Sequence, residues 1–246
     1  MVKQFMLALF LAGNASGADL TQFVKSTYRF EADGSVATCW IVRHNNALVL
    51  VSAAHVFEKA KGEDARVILR KPEREKKTIA REPVSIRIRN KDQPLWVRNS
   101  KHDVAALRLA GVDSGLIEAI SFDALAPQDA FEKLPPGTMT FTIGYPHAGQ
   151  FDPPGPSYPL SRIGAVASYP MQSQFMVDYN TFEGDSGGPV VAESEDREIV
   201  IGIVAGQHMI DERYQTIYQQ GLVRKRLGLA IVVGSPAVRE TIKSVP

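Results

Sequence analysis

Gly184-Asp185-Ser186-Gly187-Gly188-Pro189-Val190-Val191 sets one serine among three glycines and then runs into a proline and two valines. Glycine at 184, 187 and 188 suits a tight loop whose backbone approaches another group closely. Pro189 to Ala192 is mostly apolar and β-branched, so the loop feeds a strand. A serine offered on such a turn needs a sheet to stand on, and strand signals run through the rest of the chain.

Val36 to Val42 and Ala47 to Ser52 are rich in apolar and β-branched residues. Between them Arg43-His44-Asn45-Asn46 is polar and carries two asparagines, the chemistry of a turn, so a hairpin is predicted. Arg66 to Leu69 and Pro83 to Ile88 alternate in part, as half-buried strands do. They lie in a charged stretch, Lys59 to Lys91, that reads as a solvated hairpin of mixed sign. Val104 to Leu109 is another strand, and Gly111 to Pro127 is the best linker. Met139 to Ile143, Ile163 to Ser168, Phe175 to Asp178, Ile199 to Ala205 and Gly228 to Val233 are further strands. His147 to Ser161 is loaded with Pro and Gly and reads as a loop. Only the end differs. Ser235 can cap a helix, Pro236 suits its first position, and Val238, Ile242 and Val245 share one face. The fold class expected is all-β with a C-terminal α-helix, and two packed barrels fit 246 residues.

Apolar residues make up 44% and charged residues 22%, as in ordinary globular proteins. A formal net charge of +1 gives no reason to expect nucleic acid or an anionic membrane as partner. Residues 1–18 have the layout of a secretory signal: Lys3, an apolar run from Phe5 to Leu11, then small residues through Ala18, where cleavage is expected. The run is too short to span a bilayer, which takes about 20 residues. A secreted or periplasmic protein is expected, with no membrane anchor after signal removal, acting as a monomer. Cys39 is the single cysteine, so no internal disulfide can form and a buried, inert thiol is the default. His44, His102, His147 and His208 read as solvated turn or loop residues. Histidines this scattered do not make a zinc site, and neither metal nor cofactor is expected.

Two more segments belong with the serine turn. Ser52-Ala53-Ala54-His55-Val56 follows an apolar strand, and His102-Asp103-Val104-Ala105-Ala106-Leu107 opens one. His55, Asp103 and Ser186 stand in that order, 48 and then 83 residues apart. Together the three segments resemble the His, Asp and Ser motifs of the chymotrypsin-like (trypsin-like) serine peptidases, the family on which the general triad scheme was drawn. The resemblance runs from about Ser35 to the final helix. It implies two packed six-stranded Greek-key β-barrels, residues 19–118 carrying His55 and Asp103 and residues 119–246 carrying Ser186. A serine hydroxyl is a weak nucleophile until a neutral imidazole takes its proton. The resemblance therefore makes Ser186 the nucleophile, His55 the general base and then acid, and Asp103 the group that orients His55. It places the oxyanion hole on the backbone N–H groups of Gly184 and Ser186. The implied activity is hydrolysis of peptide bonds in polypeptide substrates through an acyl-enzyme.

Gly184-Asp185-Ser186-Gly187-Gly188 also fits the G-x-S-x-G pattern of α/β-hydrolases. Those enzymes place the serine between strand and helix and order the triad Ser, acid, His. Here a strand follows, and only His208 lies downstream, so the rival fails on order and context. Gly144-Tyr145-Pro146 resembles a motif of the bacterial glutamyl-endopeptidase-like and HtrA-like branches, and an arrangement without a PDZ domain is the expectation. Two departures stand out. Asp185 has no Ile-Val-type N-terminus to pair with and must find another partner, such as an internal Arg or backbone donors. Asn180 falls at the specificity-pocket base by motif spacing, without the negative charge of the trypsin branch. Thr181 and Glu183 would line the rim, and Val204, Ala205, Gly206 and Gln207 the opposite wall, where substrate could add as a strand. A small or medium uncharged substrate side chain is the expectation. A catalytically silent binding or adaptor protein on the same scaffold, and an esterase-like hydrolase with the same triad, are the alternatives.

Overall fold

A computed structural model of the chain describes residues 18–73, 78–146, 158–194, 197–215 and 218–246. Residues 1–17 of the expected signal, His147 and most of the Pro-rich loop after it lie outside the described residues. A short helix α1 (Thr21–Ser26) leads into β1 (Thr27–Ala32), β2 (Ser35–His44) and β3 (Ala47–Ser52), then helix α2 (Ala54–Lys59). Next come β4 (Asp64–Glu73) and β5 (Thr78–Arg87), the two-residue strands β6 (Arg89–Asn90), β7 (Gln93–Pro94) and β8 (Val97–Arg98), and β9 (Ala105–Arg108). A strap carrying β10 (Ile120–Ser121) and helix α3 (Gln128–Glu132) crosses to the second half. That half holds β11 (Met139–Gly144), β12 (Leu160–Val166), β13 (Gln174–Asp178), β14 (Pro189–Ser194), β15 (Arg197–Gln215), β16 (Gln220–Gly234) and the terminal helix α4 (Ser235–Lys243).

The predicted first hairpin forms. β2 and β3 pair antiparallel with His44 opposite Ala47, and Asn45 and Asn46 both have positive φ, 47° and 62°. A two-residue hairpin turn demands that conformation, and asparagine tolerates it. Cys39 to Val42 and Ala47 to Val51 are apolar without a break because both faces of these strands are covered. Cys39, Ile41, Leu48 and Leu50 face the core of the first half. Trp40, Val42, Val49 and Val51 alternate with them into a second core, shared with Val191, Val200 and Ile203 of the other half and with Val238 and Ile242 of α4.

The second half is the expected six-stranded barrel, closed in the order β11-β12-β13-β16-β15-β14. The first half departs from expectation. It is an eight-stranded sheet in the order β5-β4-β1-β2-β3-β9-β8, with β10 added in parallel to β2. Among the described residues β5 does not pair with β8, so the barrel stays open. The reason is local: between β5 and β9 the chain pairs only in two-residue steps, too short to carry a ladder across. The stretch Gly111 to Pro127 is a strap, not a free linker, because Ile117, Ile120, Phe122, Leu125 and Ala126 are all buried. β10 also puts residues 120–121 on the first sheet, beyond the expected boundary at 118.

The largest surprise is length. β15 and β16 continue past the barrel and pair from Met209↔Arg226 out to Gln215↔Gln220 as a two-stranded arm. His208 is thus in a strand, not a loop. His44 likewise closes β2 and packs on Phe122, with ring centroids 4.3 Å apart.

Candidate active site

His55 is the second residue of α2, whose cap residue Ala53 has no side chain to satisfy the first helical N–H groups. Asp103 does this from a distance. Its Oδ1 accepts from His55 N at 2.9 Å, and its Oδ2 lies 2.6 Å from His55 Nδ1. One carboxylate thereby holds both backbone and ring of the same histidine. Burial opposes ionisation of Asp103, but the hydrogen bonds and charge of His55 outweigh it and leave the carboxyl below its usual range. The turn that carries Asp103 is held by Asn99, a residue the motifs did not single out. Asn99 Oδ1 accepts from Lys101 N and His102 N at 3.0 and 3.1 Å. Its Nδ2 donates to Glu240 Oε2 and Thr241 Oγ1 of α4 at 3.1 and 3.2 Å. The last helix of the chain therefore braces the turn before β9.

The serine turn is clasped from the first half by Thr38 of β2, also unforeseen. Thr38 N donates to Ser186 O at 3.0 Å. Thr38 Oγ1 donates to Gly184 O at 2.6 Å and accepts from Tyr145 N at 3.0 Å. Ser52 Oγ donates to Thr38 O at 2.8 Å. The approach leaves no room for a side chain at Gly187: a Cβ there would stand 2.1 Å from Ser52 Oγ and 2.3 Å from Thr38 O, and φ is +87°. Only glycine fits both demands. Gly184 N and Ser186 N donate to no group among the described residues, while Gly187 N and Gly188 N are used, to Val204 O and Asp185 O. Asp185 N, between them, donates to Phe182 O at 3.1 Å, so the two N–H groups flanking it are left over at the serine turn.

Asp185 finds an internal partner. Its carboxylate is buried and pairs with Arg162 of β12. Phe182 N donates to its Oδ2 at 2.7 Å, and Tyr179 OH donates to the same oxygen at 3.4 Å. Burial pushes the carboxyl up, and Arg162 with these donors pulls it back. Burial and the neighbouring carboxylate push the Tyr179 phenol up as well, so it keeps its proton to donate.

His55 and Ser186 both line one cleft of about 360 Å³ at the junction of sheet and barrel. No hydrogen bond joins their side chains among the described residues. Of the expected specificity residues, Thr181, Glu183, Val204, Gly206 and Gln207 line the cleft. Asn180 and Ala205 do not. Asn180 is exposed, and its side-chain oxygen lies 3.5 Å from where a Gly228 Cβ would be. Ala205 falls at a bulge between Val204 and Gly206, which turns it toward the shared core. Phe182, Arg226 and Lys59 line the cleft without having been foreseen.

A closed six-stranded barrel facing a β-sheet, with a serine turn in the cleft between them, defines a protein of the serine-protease fold. Residues 37–203 match the Trypsin-like peptidase domain family, and the chain belongs to it. Solved structures agree on the fold. The serine endoprotease from Yersinia pestis is 11% identical with a TM-score of 0.57, over 92% of this chain and 64% of that one. The HtrA-type protease AlgW with tripeptide is 13% identical with a TM-score of 0.59, over 92% and 62%. The Rv3671c protease in its inactive form is 13% identical with a TM-score of 0.54, over 92% and 91%. The chain thus spans under two thirds of the first two. No curated protein matches the sequence.

Proposed function

We propose that this chain is a serine endopeptidase that cleaves polypeptides through an acyl-enzyme on Ser186. The observation that carries the reading is the double hold of Asp103 on His55, opening on the same cleft as Ser186. That hold presents His55 Nε2 to the cleft as base and then acid, and Asp103 stabilises the imidazolium that forms. The N–H groups of Gly184 and Ser186, unused among the described residues, are the donors for the tetrahedral oxyanion. Around Gly206 a Cβ would meet nothing within 4 Å, which leaves room for substrate backbone to add there as a strand. Residues 1–18 direct export, and the chain works as a monomer outside the cytoplasm, without a cofactor.

Fluorophosphonate labelling tests the reading. Label is expected on Ser186, and Ser186→Ala should abolish it and lower turnover by about 10⁶-fold. Undiminished cleavage by the alanine variant would overturn the mechanism. A folded chain with neither labelling nor hydrolysis would make it a silent binding scaffold. Cleavage of small esters but not casein would make it an esterase-like hydrolase.

A further inference from the structure

Arg224, Lys225 and Arg226 are consecutive on the arm strand β16, and only two of them are neutralised. Arg224 pairs with Asp211 at 3.7 Å, and Lys225 pairs with Glu212. Arg226 has no carboxylate within 4.0 Å among the described residues. It bends inward instead. Its guanidinium lies 5.3 Å from the Phe182 ring centroid, and Nη1 donates to Thr181 O at 3.5 Å. Thr181 and Phe182 lead directly into the turn that carries Ser186, so Arg226 forms part of the cleft wall beside that turn.

The other charges of the cleft offset Arg226 only in part, and with Asp185 taken by Arg162 its lining keeps an excess of positive charge. Glu183 is exposed and makes no ion pair among the described residues. Lys59 is a second cation, on the His55 side. A guanidinium has five donors in a planar fork that matches a carboxylate, and one weak bond to Thr181 O leaves most of them unused. The Thr181 hydroxyl and Gln207 amide, 3.4 Å apart, add polar groups on the same wall.

We infer that Arg226 sets the specificity of this cleft, favouring a substrate whose residue before the scissile bond carries a carboxylate. The inference rests on the peptidase reading above and replaces the uncharged side chain expected from sequence. Its source is the arm: Arg226 lies 40 residues after Ser186, in a strand that enters the cleft only through its pairing with β15.

Four chromogenic peptides identical except for Glu, Gln, Phe or Lys before the cleaved bond supply the test. The Glu peptide should exceed its isostere Gln in kcat/KM by about 10- to 100-fold, the range of a charge-assisted hydrogen-bonded contact. The ratio should shrink as salt is raised, because Arg226 is exposed. Arg226→Gln should bring the ratio to about 1, and Arg226→Lys should keep part of it, since charge survives and the fork does not. A ratio taken on one preparation does not depend on how much of the variant is folded. A wild-type chain that takes fluorophosphonate on Ser186 yet cleaves Glu and Gln peptides equally overturns the inference and leaves the peptidase reading standing. So does an Arg226→Gln variant that keeps the ratio. No labelling and no hydrolysis of any peptide overturns the peptidase reading itself.

Discussion

Asp103 touches His55 twice, and the two contacts have a pH signature of their own. The carboxyl is depressed below 3.8 because the hydrogen bonds and charge of His55 outweigh burial. A carboxyl lowered on folding contributes stability in full above its unfolded value, about 3.9, and loses it as pH falls through the lower folded value. The stability gap between the wild-type chain and Asp103→Asn, read from urea midpoints, should therefore be flat between about pH 5 and 6 and close below about pH 4. A gap that persists to pH 2 would show that the carboxylate charge contributes nothing. At the same scale, Cys39 behaves as an inert residue. It is fully buried, and burial pushes its thiol up, which suppresses the thiolate that reactivity requires.

At the scale of elements, the site is assembled by parts remote in sequence. Helix α4 was legible from its cap and its apolar face, with one change: Ser235 Oγ donates to Ala126 O at 2.7 Å and does not cap the helix. That α4 also braces the Asp103 turn was not legible, since Asn99 meets Glu240 and Thr241 only after folding. Asn99→Ala removes those bonds and leaves the part-buried N–H groups of Lys101 and His102 without their acceptor, at a cost of about 1–2 kcal/mol. The thermal midpoint should fall by about 2–4 °C for each kcal/mol, and the hydrolytic rate should fall with it. A midpoint unchanged within a degree would show that α4 does not brace the turn. The arm of β15 and β16 escaped the sequence for a different reason. Both faces are open to solvent, so alternation is lost. Cross-strand pairs such as Asp211 with Arg224 hold it, and Tyr214 covers Gly221 so closely that a Cβ would meet the ring at 2.9 Å.

At the scale of the whole molecule, the two halves share a core. Trp40 and Val42 of the sheet, Val191 and Ile203 of the barrel, and Val238 of α4 belong to one buried cluster. Chains with separable domains often unfold in steps; this one should melt in a single calorimetric transition. Trp40, with no exposed surface, should cost about 3–5 kcal/mol when changed to alanine, and the loss should lower the stability of both halves together. Two resolved transitions, with only one displaced in Trp40→Ala, would show that the halves are independent.

The sequence by itself determined the strands with covered faces, the Asn45-Asn46 turn, the terminal helix and the order of His55, Asp103 and Ser186. Each of these rests on local chemistry: apolar periodicity, backbone conformations that asparagine and glycine tolerate, or short motifs. Tertiary structure alone decided that Arg162 pairs with Asp185, that Thr38 clasps the serine turn, that Ala205 and Asn180 leave the cleft while Arg226 enters it, and that the first sheet stays open. Those outcomes depend on bulges, on strand length and on partners far apart along the chain. Such partners show no periodicity or fixed spacing before the chain has folded.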